Sequence, residues 1–310
     1  MIRERRIKSG PLLEVEFYPV FADGRKVPAR DKKRKPSSEE QKKYNQKQAT
    51  KKLIRLVNCN FDEDDYLLHP TYRQDTAPET LDQARRDVVN YLRRVKDRRK
   101  KELVRLEGEL VTLKTAQAQT GGSDFLSDRI ARLAKEVKIL RRPLKYVYSI
   151  EQAFYKTGKR KGRPNYHFHM FVTGGLDRRL MEEMWTNGLR CNADRYQPEV
   201  FGPEAAAKYI VKDPQGAKRF ACSRNLTKPK EPKPRDGKIT KPELERIAKL
   251  RVDDAAWWEK RHKGHRFVAC HPRWNPYNGQ WYMTAILYKT DKDPPPWTTV
   301  WDTDDIFDDE

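Results

Sequence analysis

The residues best suited to chemistry are His167 and His169, within the run Tyr166-His-Phe-His-Met-Phe-Val172. On an extended chain, i and i+2 share a face, so both imidazoles project together with Phe168 behind them. Two neutral imidazoles side by side are donors for a divalent cation. A third donor is expected from the neighbouring strand, where Glu151 closes Leu144-Lys-Tyr-Val-Tyr-Ser-Ile-Glu151. Two histidines and one carboxylate leave coordination positions open for substrate oxygens. A bare His-x-His fits an ordinary pair of strand histidines at least as well. Further on, Lys208-Tyr-Ile-Val-Lys212 places Tyr209 and Lys212 three apart, on one face of a helix. A tyrosine hydroxyl has a free pKa of about 10 and becomes a nucleophile only beside a cation and a polarised target. Lys212 and the metal supply these. Taken alone, a Tyr-x-x-Lys more often packs a core.

These side chains need a sheet and a helix to hold them. The segments 144–151 and 166–172 alternate with period two and read as a β-hairpin. Its tip, Tyr155-Lys-Thr-Gly-Lys-Arg-Lys-Gly-Arg-Pro164, carries Lys156, Lys159, Arg160, Lys161 and Arg163, well placed to grip phosphates. Tyr155 and Tyr166 read as sheet-packing residues rather than stacking platforms. Helices are expected over Leu176–Asn187 and from Gly202-Pro203-Glu204, where proline suits an early helical position.

Ahead of the hairpin, Leu81, Ala84, Val88, Tyr91, Leu92 and Val95 step by three and four. The period runs on through Leu103 to Leu113, breaks at Gly121-Gly122, and returns from Leu126 to Leu140. This predicts a helical hairpin inserted at about 98–142, a spacer or a clamp. Residues 1–50 read as a basic arm with one short strand near Leu13–Val20, followed by a short helix from Ser37. Lys228–Arg235 is too rich in proline for regular structure. The Trp257–Trp258 and Gln280–Tyr288 stretches predict a helix and a strand in a C-terminal extension, 215–301. Six of the nine residues 302–310 are acidic and form a tail, which is expected to be disordered.

Composition bounds the partners. The 310 residues carry 66 Lys and Arg against 45 Asp and Glu, a formal net charge of +21. Such a surplus favours nucleic acid, because cations that neutralise phosphates release condensed counterions. The 7 Trp, 14 Tyr and 11 Phe need a core, which excludes a wholly disordered chain. No window approaches the length of a membrane span. The first residues show no secretory pattern, and Cys59, Cys191, Cys222 and Cys270 form no Cys-x-x-Cys pair. A reduced compartment, the host-cell cytoplasm, is expected.

In order along the chain stand Asn60-Phe61, the Leu67–Tyr72 strand, Tyr148-Ser-Ile-Glu151, Tyr166–Phe171, Ala207-Lys-Tyr-Ile-Val-Lys212 and Ser223-Arg-Asn-Leu-Thr-Lys-Pro229. The series resembles the HUH endonuclease superfamily, specifically the rolling-circle replication initiators of phages and small mobile elements. The resemblance covers roughly residues 50–230. It implies an α+β fold with a central antiparallel sheet of four or five strands, helices on one face, and a nuclease domain over 51–214. It also implies Mg²⁺ or Mn²⁺ held by His167, His169 and Glu151. Tyr209 would attack single-stranded DNA at a replication origin, leaving a 5′-phosphotyrosine and a 3′-OH, with Lys212 offsetting negative charge. The chain contains no Gly-x-x-x-x-Gly-Lys-Ser/Thr run, so unwinding and extension would fall to a host helicase and DNA polymerase.

Three departures from the family pattern stand out. Ala205 occupies the position of a second tyrosine, the first motif reads His69-Pro-Thr-Tyr72, and the helical hairpin is extra. Pro70 cannot donate to a ladder, so its strand should be bulged or paired on one side. His69 reads as a bystander. A one-tyrosine transposase or mobilisation relaxase shares the same chemistry. A non-catalytic origin- or RNA-binding protein is the alternative of another class.

Overall fold

The computed structural model describes residues 1–21, 39–121, 123–188, 190–197, 220–276 and 278–291. In chain order the elements begin β1 (Ile2–Ser9), β2 (Leu12–Pro19), α1 (Glu39–Asn60), β3 (Tyr66–Thr71), α2 (Leu81–Thr120) and α3 (Asp124–Arg141). They continue β4 (Tyr146–Phe154), β5 (Pro164–Val172), α4 (Arg178–Glu183), β6 (Arg190–Arg195), β7 (Ala221–Cys222) and β8 (Arg235–Asp236). The last are α5 (Lys241–Leu250), α6 (Ala255–Arg261), β9 (His265–Asn275) and β10 (Gln280–Lys289). The architecture is α+β. Of the described residues, 1–60 and 227–291 form one unit, 61–197 and 220–226 the other. Each unit has its own five-stranded antiparallel sheet. One central sheet was expected. The N-terminal residues and the C-terminal extension, read apart in the sequence, instead share a sheet in strand order β8-β1-β2-β10-β9.

In the second unit the order is β6-β3-β5-β4-β7, which puts the histidine strand at the centre. Alternation decides the two faces. Tyr66, Leu68 and Tyr72, Phe168 and Met170, and Tyr148 and Ile150 turn to one side and pack with Ala84, Val88, Tyr91 and Val95 of α2. Trp185 fills the middle, with its ring edge-on to Tyr72, Tyr91 and Phe168 at 5.3–5.8 Å. Tyr166 is buried in this core, as a sheet-packing residue should be.

A capping box starts α2: Gln83 N–H donates to Thr80 Oγ1, and Gln83 Oε1 accepts from Thr80 N–H. Gly121, at φ 76°, ends it in the left-handed conformation that glycine adopts freely. Leu106 of α2 meets Leu133, Val137 and Leu140 of α3, so the expected helical hairpin forms. Arg99, buried on α2, donates to the carbonyls of Ile139, Leu140, Arg142 and Thr173. It thereby satisfies carbonyls that the end of α3 leaves open.

Some local expectations change. The helix over 176–187 shrinks to six residues, α4, and the strand β6 follows where none was foreseen. The helix after Ser37 is long, at 22 residues. Pro70 does not confine β3 to a sheet edge, because β3 pairs with both β5 and β6. The ladder to β5 skips His69 and Pro70, where proline brings no N–H, while the β6 ladder runs through both. No helix among the described residues is long and apolar enough to cross a membrane.

Candidate metal centre

The site is built on the face of β3, β5 and β4 that turns away from α2. Glu151 lies directly across from His167, and Ser149 across from His169. On the other side of β5, Thr71 lies across from His167. The period of two therefore aims His69, His167, His169 and Glu151 to the same face. His69 Nδ1 is 2.9 Å from His169 Nδ1, and His169 Nε2 is 3.3 Å from Glu151 Oε2. The His69 and His169 rings meet edge-on, with centroids 5.0 Å apart.

Burial lowers the pKa of both rings. For His69 desolvation leads, and the neighbouring His169 adds to it while Asp194 opposes. For His169 desolvation again leads over the upward pull of Glu151. Depressed values favour the neutral imidazole, which is the form that carries a lone pair. A neutral His169 that donates Nε2–H to Glu151 presents Nδ1 as an acceptor to His69 Nδ1–H.

The donor types, imidazole nitrogen and carboxylate oxygen, suit a divalent cation. Their present directions do not yet focus on one point. Glu151 and His69 address opposite nitrogens of His169, and among the described residues no three His, Cys, Asp or Glu side chains form a ligand set. His69, expected to be a bystander, is in direct contact with His169. The signal was present: His69 and Thr71 alternate with the buried Leu68 and Pro70, as His167 and His169 alternate with Phe168.

The start of β3 is held to the chain leaving β5. Asp65, fully buried just before β3, accepts from the single nitrogen Arg142 Nη2 at both carboxylate oxygens, and its Oδ1 also accepts the N–H of Gly174. Burial still raises its pKa, against the lowering effect of Gly174 and Arg142. A Cβ on Gly174 would collide with the Asp64 carbonyl oxygen, so only glycine lets the chain leaving β5 pass so close.

At the hairpin tip, Lys156, Lys159 and Lys161 are exposed. Arg160 and Arg163 are held by one acid, Glu79, at 3.2 and 2.9 Å, and the Arg160 guanidinium lies 5.8 Å from the Tyr155 ring centre. The three lysines are thus the tip's unshared cations among the five residues expected to bind phosphate. Tyr209 and Lys212, and the helix expected from Gly202, lie outside the described residues.

No family model, no curated protein and no solved structure matches this chain.

Proposed function

We propose that the chain is a site-specific single-stranded DNA endonuclease and ligase that initiates rolling-circle replication. The observation that carries this reading is the one sheet face, across β3, β5 and β4, on which His69, His167, His169 and Glu151 stand together, with His169 touching both His69 and Glu151. Support comes from the surplus of 21 positive charges and from the three exposed lysines at the tip of the hairpin that carries His167, His169 and Glu151.

On this reading His167, His169 and Glu151 would hold Mg²⁺ or Mn²⁺, which supplies positive charge to the phosphate being cut. The phenol oxygen of Tyr209 attacks phosphorus, the bond to the 3′ oxygen breaks, and that oxygen leaves with a proton as a 3′-OH. Lys212 offsets the phenolate and the charge on the phosphate. One phosphodiester replaces another, so a later 3′-OH can reverse the step without ATP. Lys156, Lys159 and Lys161 hold the strand through its phosphates. A host helicase and polymerase would use the 3′ end.

The test is a nicking assay on single-stranded oligonucleotides tiled from the surrounding genome, with Mn²⁺. Wild type should release fragments with polymerase-extendable 3′ ends, and His167→Ala and His169→Ala should not. Extendable ends of equal yield in those variants would overturn the assignment.

A second reading, an origin- or RNA-binding protein without chemistry, is favoured by the unfocused directions of the described donors. It predicts tight binding in the same assay and no fragments at all.

A further inference from the structure

The first unit carries a groove of about 580 Å³ between α1 and strands β2, β10 and β9 of its sheet. We propose that this groove holds a segment of single-stranded DNA, at a site separate from the histidine face. Its floor is a register-matched set of cross-strand neighbours. Tyr282 lies across from Arg273. Phe17 pairs with Met283, which brings Tyr18 and Tyr282 side by side at the next step. In the next row Glu16 pairs with Thr284, and Thr284 with His271.

The wall is α1. Its C-terminal half is bound down, since Arg55 makes two 2.7 Å bonds to the buried Glu14, and Leu53, Ile54 and Val57 are fully buried. The residues ahead of that anchor keep Tyr44, Lys47 and Lys51 along the groove, with Tyr44 58% exposed.

Charge and ring chemistry select the occupant. Among the described residues Glu16 is the acid lining this groove; it pairs with Arg5 at 3.1 Å and Arg55 at 3.2 Å, cations it shares with Glu231 and Glu14. Lys51 and Arg273 add positive charge to the groove lining. The Arg273 guanidinium lies 5.9 Å from the centre of the Tyr282 ring. Cations that line a cleft beside tyrosine faces fit phosphates joined to unpaired bases. A duplex keeps its bases stacked on each other and has no use for the tyrosines. A purely apolar ligand would strand the lysines.

The inference rests on the nucleic-acid partner of the proposed function and not on its chemistry. The experiment therefore uses the full chain in EDTA, where no nicking step contributes. Binding of a fluorescein-labelled dT12 is followed by anisotropy across a salt series. The variants are Lys51→Ala/Arg273→Ala, Tyr44→Ala, and a charge-matched control, Lys100→Ala/Lys101→Ala on the exposed side of α2.

The groove double variant should weaken binding and reduce the log–log salt slope by about 1.4, two cations at about 0.7 each on a single strand. Tyr44→Ala should cost about fivefold or more through one lost stacking platform. The control should bind as wild type. A groove variant with unchanged affinity and slope would overturn the proposal, and so would an equal loss in the control. Dependence of rU12 rather than dT12 binding on these residues would reassign the groove to RNA and overturn it as well. Failure of the nicking reading shows elsewhere, as a wild-type chain that never becomes joined to DNA.

Discussion

His69 and His169 face each other nitrogen to nitrogen at 2.9 Å across the β3–β5 boundary, while Glu151 approaches the far nitrogen of His169. Two imidazoles this close cannot both be protonated without strong repulsion, and burial already disfavours the charged form of each. The contact puts His69 within direct reach of a proposed metal ligand. Mn²⁺ titration by calorimetry should show His69→Ala binding about tenfold or more weakly than wild type. Unchanged Mn²⁺ affinity would return His69 to the role of bystander.

The histidine face was legible in the sequence because period-two patterning is a local property. Tyr166–Val172 and Leu144–Glu151 each announce which side chains share a side, and their pairing follows from one hairpin. The helical hairpin was legible for the same reason, with leucines stepping by three and four around two glycines. The second sheet was not legible. It joins residues 2–19 to residues 235–289, and no local period reports a pairing over such a separation. The strand β6 was missed because Arg190-Cys-Asn-Ala-Asp-Arg195 has no β-branched or aromatic residue. His69 was read as a bystander, and Pro70 argued for a bulged or one-sided strand. A neighbour on each side holds β3 despite the missing N–H.

Arg99 gives the clearest stability prediction. Its guanidinium is buried, its pKa is lowered to about 10 by desolvation, and it serves four backbone carbonyls from two elements. Arg99→Leu leaves those carbonyls without their donor. The expected loss is about 3 kcal/mol, measured by urea unfolding at pH 7. A loss below about 1 kcal/mol would show that water replaces the arginine there.

His262 should make the chain sensitive to acid. It is 7% exposed, stacks on Trp258 with ring centroids 6.3 Å apart, and burial lowers its pKa to about 4. The unfolded chain protonates it near its ordinary value of about 6.5. Between these values the unfolded state binds more protons, so stability is complete above about 6.5 and falls as pH drops toward 4. By pH 5 the loss from this group is about 2 kcal/mol. Urea midpoints at pH 7 and pH 5 should differ less in His262→Gln than in wild type. Equal differences would remove His262 as the cause.

Glu79 holds both arginines of the hairpin tip, Arg160 and Arg163. Glu79→Gln should release two cations at the hairpin tip. Affinity for single-stranded DNA should rise about threefold to tenfold at low salt, with a steeper salt slope read by anisotropy. Equal affinity and slope would mean that neither arginine reaches the strand.

The most direct measurement is mass spectrometry of the chain after incubation with Mn²⁺ and its cleavable single-stranded oligonucleotide. The account predicts a DNA fragment joined through its 5′ phosphate to Tyr209, absent from Tyr209→Phe and absent in EDTA. Tight binding without any covalent product, or cleavage that persists undiminished in Tyr209→Phe, would contradict it.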